Sequence, residues 1–104
     1  MSKEPQVRHN RDAHRFEVDL GNATALAAYS LHEGEIVFTH TEVPAEHEGH
    51  GIGTLLIKAG LDYARSKGLQ VIPSCPFFAA YMKKHVEVQD LLDPYDRKQL
   101  GIES

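Results

Sequence analysis

Glu48-Gly49-His50-Gly51-Ile52-Gly53-Thr54 stands where the chain stops alternating and starts repeating at helical spacing. On its C-terminal side, Ile52, Leu55, Leu56, Ala59, Gly60 and Tyr63 fall at i, i+3, i+4, i+7, i+8 and i+11, one face of an α-helix. Lys58, Asp62, Arg65 and Ser66 occupy the opposite face. Lys67-Gly68 supplies the cationic last turn and the glycine stop of a helix C-terminus. Residues 69–74 follow with Val71 and Ile72 in a short apolar strand, and residues 35–43 precede the glycines with Ile36, Val37 and Phe38 in another. Strand 35–43, helix 52–67 and strand 69–74 predict a β-α-β unit with parallel strands and a right-handed crossover.

Toward the N-terminus the period is two. Phe16, Val18 and Leu20 point one way, with Arg15, Glu17 and Asp19 between them, which predicts a half-buried strand. Gly21-Asn22 is a turn signal with residues 24–31 as the hairpin partner, and Glu33-Gly34 turns the chain into strand 35–43. Residues 7–11 are a weaker strand, so the first half reads as an antiparallel meander of three or four strands. Beyond strand 69–74, Pro76 opens a second helix over 76–85, because proline is favoured at the first helical position. Residues past Asp93 are polar, contain Pro94, and read as a poorly ordered tail. The expected organisation is one α+β domain over 6–93 with a mixed sheet, a flexible terminus at 1–5 and a tail at 94–104.

The whole chain is 104 residues, enough for one core and not two. Hydrophobic residues at 41% and charged residues at 25% argue against wholesale disorder. Eleven Lys+Arg against fifteen Asp+Glu give a net charge of −4, so a basic surface for nucleic acid is not expected. Apolar runs such as Leu55–Ile57 fall far short of the ~20 residues that span a bilayer. From the polar start, Met1-Ser2-Lys3-Glu4-Pro5-Gln6, no signal peptide is expected. A single cysteine cannot staple the chain internally, which fits a reduced, cytoplasmic, soluble protein. No membrane partner is expected, and the oligomeric state expected is a monomer or weak homodimer.

Glycines at alternate positions allow positive φ and let another group approach the backbone. Successive amide N–H groups feeding a helix N-terminus form an anion site, where backbone donors and the helix dipole hold a phosphate. The same glycines also serve a tight strand-to-helix turn with no ligand. Neither the dinucleotide fingerprint Gly-x-Gly-x-x-Gly nor the nucleotide P-loop matches. Strand, glycine loop, amphipathic helix and short strand together resemble the acetyl-CoA motif of the GCN5-related N-acetyltransferases. The likeness is greatest to their minimal members of about a hundred residues. The blocks that carry it are Thr41-x-Val43-Pro44, Gly49-x-Gly51-Ile52-Gly53, and Pro73-x-Cys75-Pro76-Phe77 followed by Ala80-Tyr81, spread over residues 36–92. The loop departs from the motif at its first position, where Glu48 replaces the usual Gln or Arg.

The resemblance implies acetyl-CoA as cosubstrate. Val43 and the backbone of Glu48, Gly49, His50, Gly51, Ile52, Gly53 and Thr54 would hold the cofactor, and its thiol arm would lie where strands 35–43 and 69–74 splay. Lys83 and Lys84 are candidates for its phosphates, or else a solvated cationic helix end. Phe77, Phe78 and Tyr81 read as core contacts at helical spacing, although the Tyr81 hydroxyl is a candidate for the thioester. Cys75 precedes Pro76 and falls at the N-cap of the second helix, where Ser, Thr, Asp or Asn is usual. A helix N-terminus favours the thiolate, so Cys75 is a candidate nucleophile, with burial as a small hydrophobe the alternative. His40, late in the neighbouring parallel strand, is the expected catalytic base at the same crevice, with Thr41 and Glu42 behind it. His47-Glu48-Gly49-His50 is one residue short of a zinc helix, and no metal is expected. The function expected is acetyl transfer from acetyl-CoA to an amine of unknown identity. The alternative is a CoA-binding module without turnover.

Overall fold

The computed structural model describes residues 6–102. Five strands form one mixed sheet: β1 (Val7–Asn10), β2 (Arg15–Asp19), β3 (Thr24–His32), β4 (Glu35–Glu42) and β5 (Gln70–Ile72), arranged in chain order. The first four pair antiparallel through short turns, and β5 joins β4 in parallel after the crossover helix α1 (Ile52–Lys67). Helix α2 (Pro76–Lys84) follows, then a 3₁₀ turn over Val86–Leu91 and a short helix α3 (Pro94–Gln99). The α+β class, the meander and the β-α-β unit expected from the sequence are all present. The terminus expected to be flexible, 1–5, lies outside the described residues.

Helices α1 and α2 cover one face of the sheet, and the core lies between them and the strands. Phe38 of β4 and Phe78 of α2 stack at its centre, ring centroids 4.0 Å apart and nearly coplanar. Gly60 of α1 sits against this stack, so that a Cβ there would lie 2.7 Å from the Phe38 ring. The buried stripe of α1 is Ile52, Leu56, Ile57, Gly60, Leu61 and Ala64, rotated from the expected face. Leu55, Ala59 and Tyr63 lie along its half-buried edge. An i, i+4 row drifts around the helix, and α1 packs against both α2 and the sheet, so the covered face is wider than the short-range pattern indicates.

Three local features depart from the sequence reading. Glu17, which alternation places on the solvent side, is 3% exposed. Its carboxylate accepts from Arg8 at 2.7 Å, Arg15 at 2.5 Å and Asn10 at 3.1 Å, and the two arginine side chains cover it on the sheet face that carries no helix. Leu20 falls just past the end of β2. The segment after Asp93 is ordered as α3: the Asp93 carboxylate caps the Asp96 amide at 2.7 Å, and Pro94 stands at the start of the helix. Leu100 and Ile102 then pack back onto the core, with the Ile102 amide donating to the Arg97 carbonyl at 2.8 Å.

Candidate active site

The parallel ladder between β4 and β5 lasts only from Glu35–Val37 to Gln70–Ile72. Beyond it β5 turns away at Pro73, and the last tie is the Cys75 amide donating to the Phe38 carbonyl at 2.8 Å. The rest of β4 carries on alone on that side, and a crevice opens at the C-terminal end of both strands. In open α/β sheets that end is where ligands bind.

A bulge in β4 decides which side chains face this crevice. Tyr29 pairs with Phe38 but Ala28 pairs with His40, so Thr39 is an extra residue and the alternation of β4 reverses. Thr41 then lies opposite buried Ala27, on the helix side, and its hydroxyl is 3.2 Å from Cys75 Sγ. His40 points the other way. Its Nε2 meets the Glu42 carboxylate at 2.6 Å, and both side chains are more than half exposed. His40 and Cys75 are therefore not neighbours, contrary to the pairing expected from the sequence. A one-residue shift of this kind carries no signature in residue type, since Thr39, His40 and Thr41 are all tolerated in strands.

The glycine loop turns the chain sharply into α1. Gly49 and Gly51 have φ of 84° and 80°, and a Cβ at either would meet nothing within 4 Å. Gly51 is the N-cap of α1, and no side chain caps the helix. The Glu48 amide, expected to be a cofactor donor, is taken by Ala45 O at 3.2 Å, and the Leu55 amide donates to Gly51 O at 3.1 Å; among the described residues none of the amides of Gly49 to Thr54, between them, donates to the protein. These donors open onto a cavity of about 350 Å³ lined by Val43, His47, Glu48, Gly49, Gly51, Ile52, Gly53, Thr54 and Phe77. A second cavity, about 310 Å³, adjoins it and is lined by Thr24, Thr41, Glu42, Val43, Pro44, Glu48 and Phe77. The shared residues Val43, Glu48 and Phe77 form the wall between them.

Thus the structure gathers Val43, Glu48, Gly49, Gly51, Ile52, Gly53 and Thr54 at one place, with His50 exposed on the outside of the loop. Cys75 is 3% exposed and lies behind Thr41 without lining either cavity. It occupies the expected N-cap position of α2, yet its side chain caps no amide. Tyr81, Lys83 and Lys84 stand away from both cavities. Tyr81 stacks on His85 with centroids 3.9 Å apart, burial pushes its phenol above the ordinary value, and the two lysines are exposed in the last turn of α2. Phe77, expected in the core, is 53% exposed at the mouth of the crevice, its ring edge 3.3 Å from where a Gly53 Cβ would stand. The sequence does hold a signal for this. Adjacent residues on a helix lie about 100° apart, so Phe77 and Phe78 cannot both point at one core. Among the described residues no group of three or more His, Cys, Asp and Glu is arranged to hold a metal ion, and no helix is long and apolar enough to cross a membrane.

A parallel pair that splays, a bulge beside the gap and a run of acceptor-free amides at the crossover helix meet at one end of the mixed sheet. Residues 15–91 match the family described as GCN5-related N-acetyl-transferase, and the chain belongs to that family. It is also similar to the solution structure of a GCN5-like protein from Staphylococcus aureus. The two are 31% identical over 85% of this chain and 87% of that one, with a TM-score of 0.69. No curated protein matches the sequence. Family members use acetyl-CoA as cosubstrate, and the acceptor-free amides and open space at Gly49 and Gly51 fit a pyrophosphate.

Proposed function

We propose that this protein transfers an acetyl group from acetyl-CoA to an amine. The observation that carries the reading is the run of acceptor-free amides, Gly49 to Thr54, at the mouth of a crevice made by two splayed parallel strands. Those amides and the α1 N-terminus hold the phosphates, while Val43 and Phe77 flank the route into the crevice. When bound, acetyl-CoA supplies an activated acyl group. Glu42 lines the crevice with His40 hydrogen-bonded behind it, which supports this pair as the acceptor of the incoming ammonium's proton. The burial of Cys75 favours direct attack by the amine over an acyl-cysteine, since a nucleophile must come within about 3–3.5 Å of the acyl carbon. We place the chain with the minimal family members that carry Pro73-x-Cys75-Pro76-Phe77. The lone cysteine supports a reducing, cytoplasmic setting.

A second reading, a CoA-binding module without turnover, is favoured by Glu48. It puts a carboxylate in both cavity walls, and no Lys or Arg lines either. Calorimetric titration with CoA, run beside release of free thiol from acetyl-CoA across a panel of primary amines, separates the two. Binding with amine-dependent thiol release is expected. Binding without release selects the module, and no binding overturns both.

A further inference from the structure

Cys75 is the one thiol in the chain, it is buried, and among the described residues its sulfur has a single side-chain partner, the Thr41 hydroxyl at 3.2 Å. The two are unequally placed: Thr41 lines the crevice and Cys75 stands behind it. Either atom can donate; sulfur is the weaker acceptor, and the arrangement that matters here is S–H donating to Oγ1. The hydroxyl proton of Thr41 then has no partner among the described residues and faces the crevice. The Tyr81 phenol, stacked on His85, and His40, on the other sheet face, do not supply a donor there.

Building on acetyl transfer as the function, we infer that Thr41 is a catalytic residue whose hydroxyl donates a hydrogen bond to the CoA sulfur as it departs. Cys75 is a positioning residue that keeps the hydroxyl proton turned into the crevice. In this step the amine nitrogen bonds to the acyl carbon, and the carbon–sulfur bond breaks with its electron pair on sulfur. The ammonium gives one proton to the Glu42 carboxylate before attack, and its second leaves to water once the carbon–nitrogen bond has formed. Thr41 donates without giving up its proton, so the sulfur leaves as a thiolate and is protonated from water. The donor acts where negative charge develops, the place at which a fixed hydrogen bond contributes most to rate.

The test compares CoA with desulfo-CoA, which carries hydrogen in place of the thiol, at pH 9, above the ~8.5 of a free thiol. Wild type is expected to bind CoA about tenfold more tightly than desulfo-CoA, the size of a charge-assisted hydrogen bond. Thr41→Val, similar in shape, is expected to bind the two equally, and Thr41→Ser to restore the preference. In turnover, Thr41→Val is expected to lose about 10- to 100-fold in kcat with KM for acetyl-CoA unchanged, and Cys75→Ala, which removes the partner of the hydroxyl, to lose a smaller part of kcat that Cys75→Ser recovers. Wild type that binds CoA but does not distinguish it from desulfo-CoA overturns the role of Thr41 alone. So does a Thr41→Val enzyme with undiminished kcat, or an acetyl group found on Cys75. Wild type that binds neither ligand overturns acetyl transfer itself, and the inference with it.

Discussion

Gly51 carries the tightest link between one residue and the proposed chemistry. It combines φ of 80° with empty space where a side chain would stand, so the backbone needs glycine for its conformation and a ligand needs it for access. Gly51→Val is expected to lower CoA affinity at least tenfold and cost about 1–2 kcal/mol of stability while the circular dichroism spectrum stays native. An affinity for CoA equal to wild type in the folded variant would count against the cradle. Glu48 acts in the opposite sense: removing its charge with Glu48→Gln is expected to tighten CoA binding about two- to fivefold at low salt, an advantage that shrinks as ionic strength rises. The glycines and Glu48 were legible in the sequence because residue type alone marks them. Thr41 and His40 were legible as candidates but not in their orientation, because which of two neighbours faces the crevice depends on the extra residue at Thr39, and a bulge is set by pairing with β3 rather than by local preference.

The helix α1 and its neighbours show what period reading captures and where it stops. The range 52–67, the glycine C-terminus and the proline start of α2 are local properties, and all are found as expected. The direction in which α1 turns its apolar stripe is a tertiary property, set by the Phe38–Phe78 stack that lies against Gly60. That contact makes a specific prediction. Gly60→Ala, which would raise helix propensity in isolation, is expected to destabilise the protein by about 1–3 kcal/mol, because its Cβ would meet ring carbons 2.7 and 2.8 Å away in a packed core. Urea unfolding measures the change, and a stabilised variant would mean that the ring stack yields freely. Helix α3 escaped the sequence reading for a related reason. Its six residues are polar, and what orders them is the Asp93 cap together with Leu100 and Ile102 reaching the core from beyond the helix end.

Across the molecule, acid weakens the fold through two separate groups. Hydrogen bonds from Arg8 and Arg15 hold the Glu17 carboxyl down at about 2, so the stability it contributes is complete above its ordinary 4.5 and is lost as pH falls toward 2. Burial, and Arg11 nearby, lower His9 from its ordinary 6.5; the ring lies against Phe16 and Tyr63 and bonds the Tyr29 hydroxyl at 2.5 Å. A histidine held neutral by the fold takes up its proton more readily when unfolded, so its contribution also fades as pH drops below 6.5. Thermal midpoints are expected to decline in two stages, the first below 6.5 and the second below 4.5, with His9→Gln flattening the first and Glu17→Gln the second. A midpoint constant from pH 7 to 4 would contradict this. The order of the sheet has a kinetic consequence of its own. Three strand pairings close through short turns, whereas β4 and β5 meet only after the chain has travelled from Glu42 to Gln70, and their ladder is brief. A molecule lodged in the gap spans the strand pairing of the described sheet that no short turn secures. Saturating CoA is therefore expected to act as a clasp on that seam, slowing unfolding measured by denaturant jump while leaving the refolding rate of the unliganded chain unchanged.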